Sequence, residues 1–161
     1  MFPHLAALEV IRAETRGREL VIHAATVIES AACWTCGVNS TRVHSRYRRL
    51  LQDAAVTGRS LAIVLQVKRY FCDNESCAKT TFAEQVPGLT SRFGRISEGL
   101  RAMLTRVALA LGGRAGSRLA EHLAIPSSRD RLIRLVKALP DPEHATPRVL
   151  GVDDFAFRRW S

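Results

Sequence analysis

The chain has no run of about 18 apolar residues, which excludes a membrane-spanning helix. Its first residues, Met1-Phe2-Pro3-His4, lack the basic region and apolar stretch of a secretory leader, so a cytoplasmic protein is expected. Lysine is scarce: nearly all of the 24 basic residues are arginine, against 15 acidic ones. Aromatic residues are only 6% of the chain, and cysteine is limited to four positions. What the 161 residues do have is a hydrophobic content of 47%, enough for folded cores in one ordinary domain or two small ones.

The four cysteines form two close pairs, Cys33-x-x-Cys36 and Cys72-x4-Cys77, separated by residues 37–71. Two short loops that each offer two thiolates suit a tetrahedral zinc ion. Gly37 follows the first pair, where the chain needs a left-handed turn, and Asp73-Asn74-Glu75-Ser76 is turn-prone. Four thiolates leave no coordination position open, so structural Zn²⁺ is the expected cofactor. Two disulfides or four unrelated thiols are the alternatives, and a reducing cytosol disfavours the former. His44 lies between the pairs and reads as a strand residue or phosphate contact, because four ligands already exist.

The net charge of +9 and pI of about 10.4 are concentrated. Residues 33–72 carry seven basic side chains and one acidic, and residues 92–138 carry ten and three. Two such blocks suit a polyphosphate partner, whose binding releases condensed counterions, although a solvated basic face would look the same. Arginine favours forked contacts to phosphate or guanine.

The expected fold class is α+β: a small β-rich zinc ribbon, then a helical domain, then one C-terminal strand. Glu19–Ile28 is β-branched and reads as one or two strands. Leu61, Ile63, Leu65 and Val67 alternate with Ala62, Val64, Gln66 and Lys68, predicting a strand that ends at the second cysteine pair. Arg42, His44, Arg46 and Arg48 share one parity of another strand, with a turn near Thr57-Gly58. Strands are expected over 41–50 and 59–71. From residue 96 the period becomes helical, with Leu100, Met103, Leu104, Val107 and Leu111 inward and Gly112-Gly113 as the stop. Further helices are predicted over about 114–122 and 128–138. Ser127 is the expected N-cap of the last one, and Leu132, Leu135 and Val136 its inward face. The domain boundaries that follow are 1–32, a ribbon over 33–90, a helical unit over 91–139, and a linker with a last strand over 140–161.

A short helix, a tight turn holding Ile125 and a capped basic helix make a helix-turn-helix pattern, with a plain helical hairpin as the alternative. Candidate DNA contacts are Arg114, Ser127, Ser128, Arg129, Arg131 and Arg134 in the helical unit. In the ribbon they are Arg42, His44, Arg46, Arg48, Arg49, Lys68 and Arg69. Near the end, Arg148-Val149-Leu150-Gly151-Val152-Asp153-Asp154 is a short buried-strand pattern closed by carboxylates.

These elements together resemble the N-terminal part of insertion-sequence transposases of the ISL-three family. The resemblance rests on the four-cysteine ribbon with His44-Ser45-Arg46-Tyr47, Val67-Lys68-Arg69-Tyr70-Phe71-Cys72, Phe82-Ala83-Glu84, Leu111-Gly112-Gly113-Arg114-Ala115, Ser127-Ser128-Arg129-Asp130 and Gly151-Val152-Asp153-Asp154-Phe155-Ala156. It implies that ribbon and helix-turn-helix recognise double-stranded DNA at the terminal inverted repeats of a mobile element. It also implies that Asp153 matches the first acid of an Asp-Asp-Glu triad in a ribonuclease-H-like domain. Mg²⁺ belongs to that triad in a full-length relative. Trp34 departs from the family's usual Pro, and Trp160-Ser161 departs from its usual continuation.

No acidic residue follows Asp154, and two-metal phosphoryl transfer needs several converging carboxylates. The expectation is a truncated transposase that binds DNA without cutting it alone and that is nucleoid-associated. Full-length transposase or a second copy is a further candidate partner. A stand-alone DNA-binding regulator, and an RNA- or protein-binding zinc ribbon, are the competing classes.

Overall fold

The computed structural model describes residues 7–141. Strand β1 (Leu8–Arg16) and strand β2 (Glu19–Thr26) form an antiparallel hairpin whose turn is left-handed at Gly17. A two-residue strand pair follows, β3 (Ala31–Ala32) and β4 (Asn39–Ser40). Two long strands, β5 (Val43–Val56) and β6 (Arg59–Phe71), come next, and β7 (Thr81–Ala83) pairs with the end of β6. The order in the sheet is β1-β2-β6-β5, with β7 off the path.

The β5–β6 connection is the shortest possible. Val56 pairs with Arg59, and both intervening residues, Thr57 and Gly58, have positive φ, as a two-residue hairpin turn with the sheet's own twist requires. The hairpin is longer than the strands expected from sequence, because β5 continues to Val56 instead of ending at residue 50. β2 pairs in parallel with β6 from Glu19–Ser60 to Ala25–Gln66, so the sheet runs across the 32/33 boundary drawn from sequence.

Beyond buried Ala62, alternation on β6 sorts its side chains. Leu61, Ile63, Leu65 and Val67 are buried with Ala24, Leu51, Val86 and Leu89 in the sheet core, while Gln66 is exposed. Glu84 is also buried. Its Oε1 accepts from the Thr26 hydroxyl and from the backbone N–H of Lys68 at 2.6 Å, joining β2, β6 and the chain beyond β7; its Oε2 has no partner among the described residues.

Helix α1 (Glu98–His122) begins at Ser97, whose hydroxyl accepts from the N–H of Leu100 at 3.0 Å and donates to Asp53 on β5. Gly112 interrupts α1 with φ 67° and ψ −171°, which no helical residue adopts, so the chain is redirected where the sequence predicts a stop. Helix α2 (Arg129–Lys137) follows a turn in which Ala124 is left-handed and Ile125 is buried.

The α2 N-cap is Ser128, not the expected Ser127: its hydroxyl accepts from Arg131 N–H at 3.2 Å. Ser127 sits one residue too early: its carbonyl accepts from the Ser117 hydroxyl at 2.7 Å, and its own hydroxyl has no partner among the described residues. The helical core comprises Ile96, Leu100, Leu104, Ala108, Ala120, Ile125 and Leu132. Met103 and Leu111, expected inward, are 39% and 45% exposed. Ala108 occupies the inner stripe instead, four residues beyond Leu104.

Leu132 is fully buried between α2 and α1, and its Cδ1 lies where a side chain on Gly116 would have to sit. Leu132→Ala should therefore cost about 2–5 kcal/mol. Denaturant unfolding checks this against Leu139→Ala at a 41% exposed position, which should leave the midpoint nearly unchanged.

Candidate metal centre and basic surfaces

The two cysteine pairs sit on two tight turns brought together by the sheet. In the first, β3 leads into Cys33, Gly37 N–H donates to Cys33 C=O at 2.7 Å, and Cys33 N–H donates to Val38 C=O at 2.9 Å as the chain returns along β4. Gly37 has φ 75°, the left-handed value that lets the turn close just past the second thiol. The second turn links β6 to β7: Cys72 N–H donates to Thr80 C=O and Cys77 N–H to Asn74 C=O, while the Asn74 side chain caps Ser76 N–H.

All four Sγ atoms lie within 4.8 Å of one another. Cys33–Cys77 and Cys36–Cys72 are 3.9 and 3.5 Å apart, too long for disulfides, and the four thiols are free. A tetrahedron with Zn–S of 2.3 Å has edges of about 3.8 Å, so the donor set fits zinc in both chemistry and spacing. Among the described residues this is the one group of three or more side chains placed to hold a metal ion.

The electrostatics of the site favour a cation. Burial pushes the Cys33 thiol up, but backbone N–H groups of Cys36 and Thr35 and the neighbouring thiols bring it down to about 7. At Cys72 the backbone at Asn74 pulls down, yet burial and the neighbouring thiols prevail and raise it to about 12. Four adjacent thiols cannot all ionise without a positive ion among them. Tyr70 and Phe82, fully buried, stack at 6.0 Å beside the cysteines and close the centre from below.

The predicted DNA contacts separate into two sets. Arg46 and Arg48 are exposed on β5 with no hydrogen-bond or ion-pair partner among the described residues, and Arg114 and Arg134 are likewise outward on the helices. Other candidates already have partners within the chain, some of them at the surface. Arg49 donates to the carbonyls of Ser91 and Gly94 and to Gln85. Lys68 Nζ donates to Ile28 C=O, and Arg131 donates to Gln52 Oε1 at 2.9 Å. Arg42 pairs with Asp73 at 3.0 Å and lies over Phe71; His44 meets the same ring edge-on at 4.8 Å and stays out of the metal centre. Arg69 lies over Tyr47, and Arg129 pairs with Asp130 at 2.9 Å. Ser127 and Ser128 sit at the turn before α2. Asp153 lies outside the described residues.

Sequence reasoning missed a second feature: Trp34, Lys79, Arg92 and Phe93 gather beside the cysteine turns. Trp34 and Phe93 are distant in sequence, and no spacing rule links them.

No described helix is long and apolar enough to cross a membrane. Residues 29–77 match the family model described as the zinc-finger of transposase IS204/IS1001/IS1096/IS1165. The match begins just before the first cysteine turn and ends at Cys77, so it spans both turns and the β5–β6 hairpin. No curated protein and no solved structure matches the chain.

Zinc removal should unfold the turns around Cys33–Val38 and Cys72–Thr80, since their geometry is closed by the metal. Metal analysis of the purified chain should give one Zn²⁺ per molecule, and Cys36→Ser with Cys77→Ser should abolish it. A folded chain free of zinc would refute the assignment.

Proposed function

We propose that this chain is the DNA-binding N-terminal region of an insertion-sequence transposase, recognising the terminal inverted repeats of its element in double-stranded DNA. The observation that carries the reading is the four-thiol centre inside a ribbon that matches a transposase zinc-finger model. The ribbon holds the exposed arginines of β5 against the phosphate backbone, and zinc keeps the ribbon in shape without taking part in chemistry.

The helical region supports the same reading as a helix-turn-helix. The second part of α1, a turn closed by left-handed Ala124 and buried Ile125, and basic α2 have the arrangement in which the last helix enters a major groove. On α2, exposed Arg134, and Arg129 despite its surface pair with Asp130, are the readers of base edges and phosphates; Arg131, bonded to Gln52, holds the helix to the sheet. Asp153 is a proposal by resemblance, as an acid that would bind Mg²⁺ in a catalytic domain, and DNA binding by residues 7–141 needs no contribution from it.

Selection of duplexes from a random pool by the zinc-loaded chain should enrich one sequence, and that sequence should recur in the inverted ends of the element that encodes it. No enrichment would refute the reading. Arg134→Ala should cost about 1–3 kcal/mol on the selected site if it reads a base. Arg46→Ala should weaken all duplexes alike and reduce the salt slope by about 0.9 for one lost phosphate contact. Asp153→Ala should leave binding unchanged.

A further inference from the structure

An open cleft of about 1120 Å³ runs between β7, the face of the β5–β6 hairpin and the loop before α1. Its rim near the cysteine turns carries Trp34, Tyr47, Arg69, Lys79, Arg92 and Phe93. Glu19 is the single acid along the lining among the described residues.

The tip of the rim is built with care. Phe93 is 85% exposed and has φ 59°, a backbone conformation that a bulky side chain rarely adopts. The loop is held in that shape from below. Gly94 N–H donates to Ser91 C=O at 3.0 Å; Arg49 grips the Ser91 and Gly94 carbonyls at 2.8 and 3.1 Å; and Arg101 donates to the Ser91 hydroxyl at 2.9 Å. A Cβ on Gly94 would fall 2.5 Å from the Ser91 hydroxyl, so the turn admits only glycine there without shifting. Above this base the Arg92 guanidinium lies 3.6 Å from the centroid of Trp34 and 4.7 Å from that of Phe93, orienting the loop tip against the cysteine turn. A strained backbone that presents a large, mostly exposed ring is the kind of outlier that marks a binding site.

We propose that this rim binds an unpaired nucleotide of a DNA strand, with the base stacked on Phe93 and the adjoining phosphates on Lys79 and on exposed Arg95, which also lines the cleft. The assignment rests on the DNA-binding function proposed above and adds a substrate feature to it. The ligand must offer two things together: anionic groups for the cations and a flat π face for an exposed ring. A nucleotide supplies both, whereas an acidic peptide satisfies the cations and leaves the ring bare. The base must be unpaired, because in a duplex its faces are covered by its neighbours, and a ring reaches them only where stacking is broken.

The test uses the full zinc-loaded chain and two fluorescein-labelled probes of equal length at one salt concentration, a single strand and a blunt duplex. Phe93→Ala should weaken binding of the single strand about tenfold, within the range for loss of one base stack, and leave the blunt duplex unchanged. Phe93→Trp should restore strand binding, since it returns a stacking face. Equal loss on both probes, or loss on neither, would overturn the assignment. So would a self-association of the wild-type chain that Phe93→Ala abolishes, which would give the ring to a protein contact. Failure of the wild-type chain to bind the blunt duplex would instead refute the duplex-recognition reading, and a tenfold effect on the single strand would still support the nucleotide site.

Discussion

The backbone N–H and C=O groups of a 13-residue strand need partners on both sides, and β6 finds them in three separate stretches of chain. β5 covers one edge along nearly its whole length; β2 covers the first half of the other, and β7 the end. The last residue of β6 adjoins Cys72, so the ladder that fixes β6 also fixes one thiol of the metal centre. Through β7 it fixes the position of Phe82 against Tyr70, beneath the cysteines. The N-terminal hairpin belongs to the same sheet because β2 completes β6 where β7 cannot reach. Metal geometry and sheet register are thus linked: the sheet brings the two cysteine turns together, and the metal they would share closes them.

Charge is handled in the same economical way. A net charge of +9 repels itself in a compact fold, and part of the excess is absorbed by carbonyls and rings. Arg49, Lys68 and Arg131 spend their donors on backbone or amide oxygens, and Arg42, Arg69 and Arg92 lie over aromatic faces. What remains outward, including Arg46, Arg48, Arg114 and Arg134, is a smaller and more defined surface than the count of arginines implies. An exposed, unpaired guanidinium is the group from which a phosphate has least to displace.

Some of this was legible in the sequence and some was not, for physical reasons. The thiol centre was readable because ligand spacing is local and the metal's demands are strict. The alternation of Leu61 to Val67 and the Thr57-Gly58 turn were readable because period and left-handed backbone leave residue-level traces. The parallel β2–β6 pairing was not, since no local pattern records which distant strand supplies the next ladder. The inward face of α1 was misjudged because its stripe follows Leu100, Leu104 and Ala108 at i, i+4, leaving Met103 and Leu111 outside it and placing small Ala108 where a larger residue was sought. The Trp34–Arg92–Phe93 cluster was invisible for the same non-local reason. The strand that would carry Asp153 lies outside the described residues.

Gln52 shows how the sheet and helices act as one object. Its backbone N–H donates to Arg95 C=O, and its C=O accepts from Ser97 N–H, so the segment entering α1 runs parallel to β5 at that point. Its side-chain amide donates to Pro126 C=O at 3.2 Å, and its Oε1 accepts from Arg131. One residue therefore uses both backbone and both side-chain polar groups to hold the start of α1, the turn before α2, and α2 itself. The neighbouring residue Asp53 adds the link to the α1 N-cap at Ser97. Helix orientation is thereby referred to β5, the strand that carries Arg46 and Arg48. With that reference fixed, the spacing between the basic face of the ribbon and the outward face of α2 is a property of the fold. Any ligand that touched both faces would meet a preset geometry, with little conformational entropy left to lose on binding.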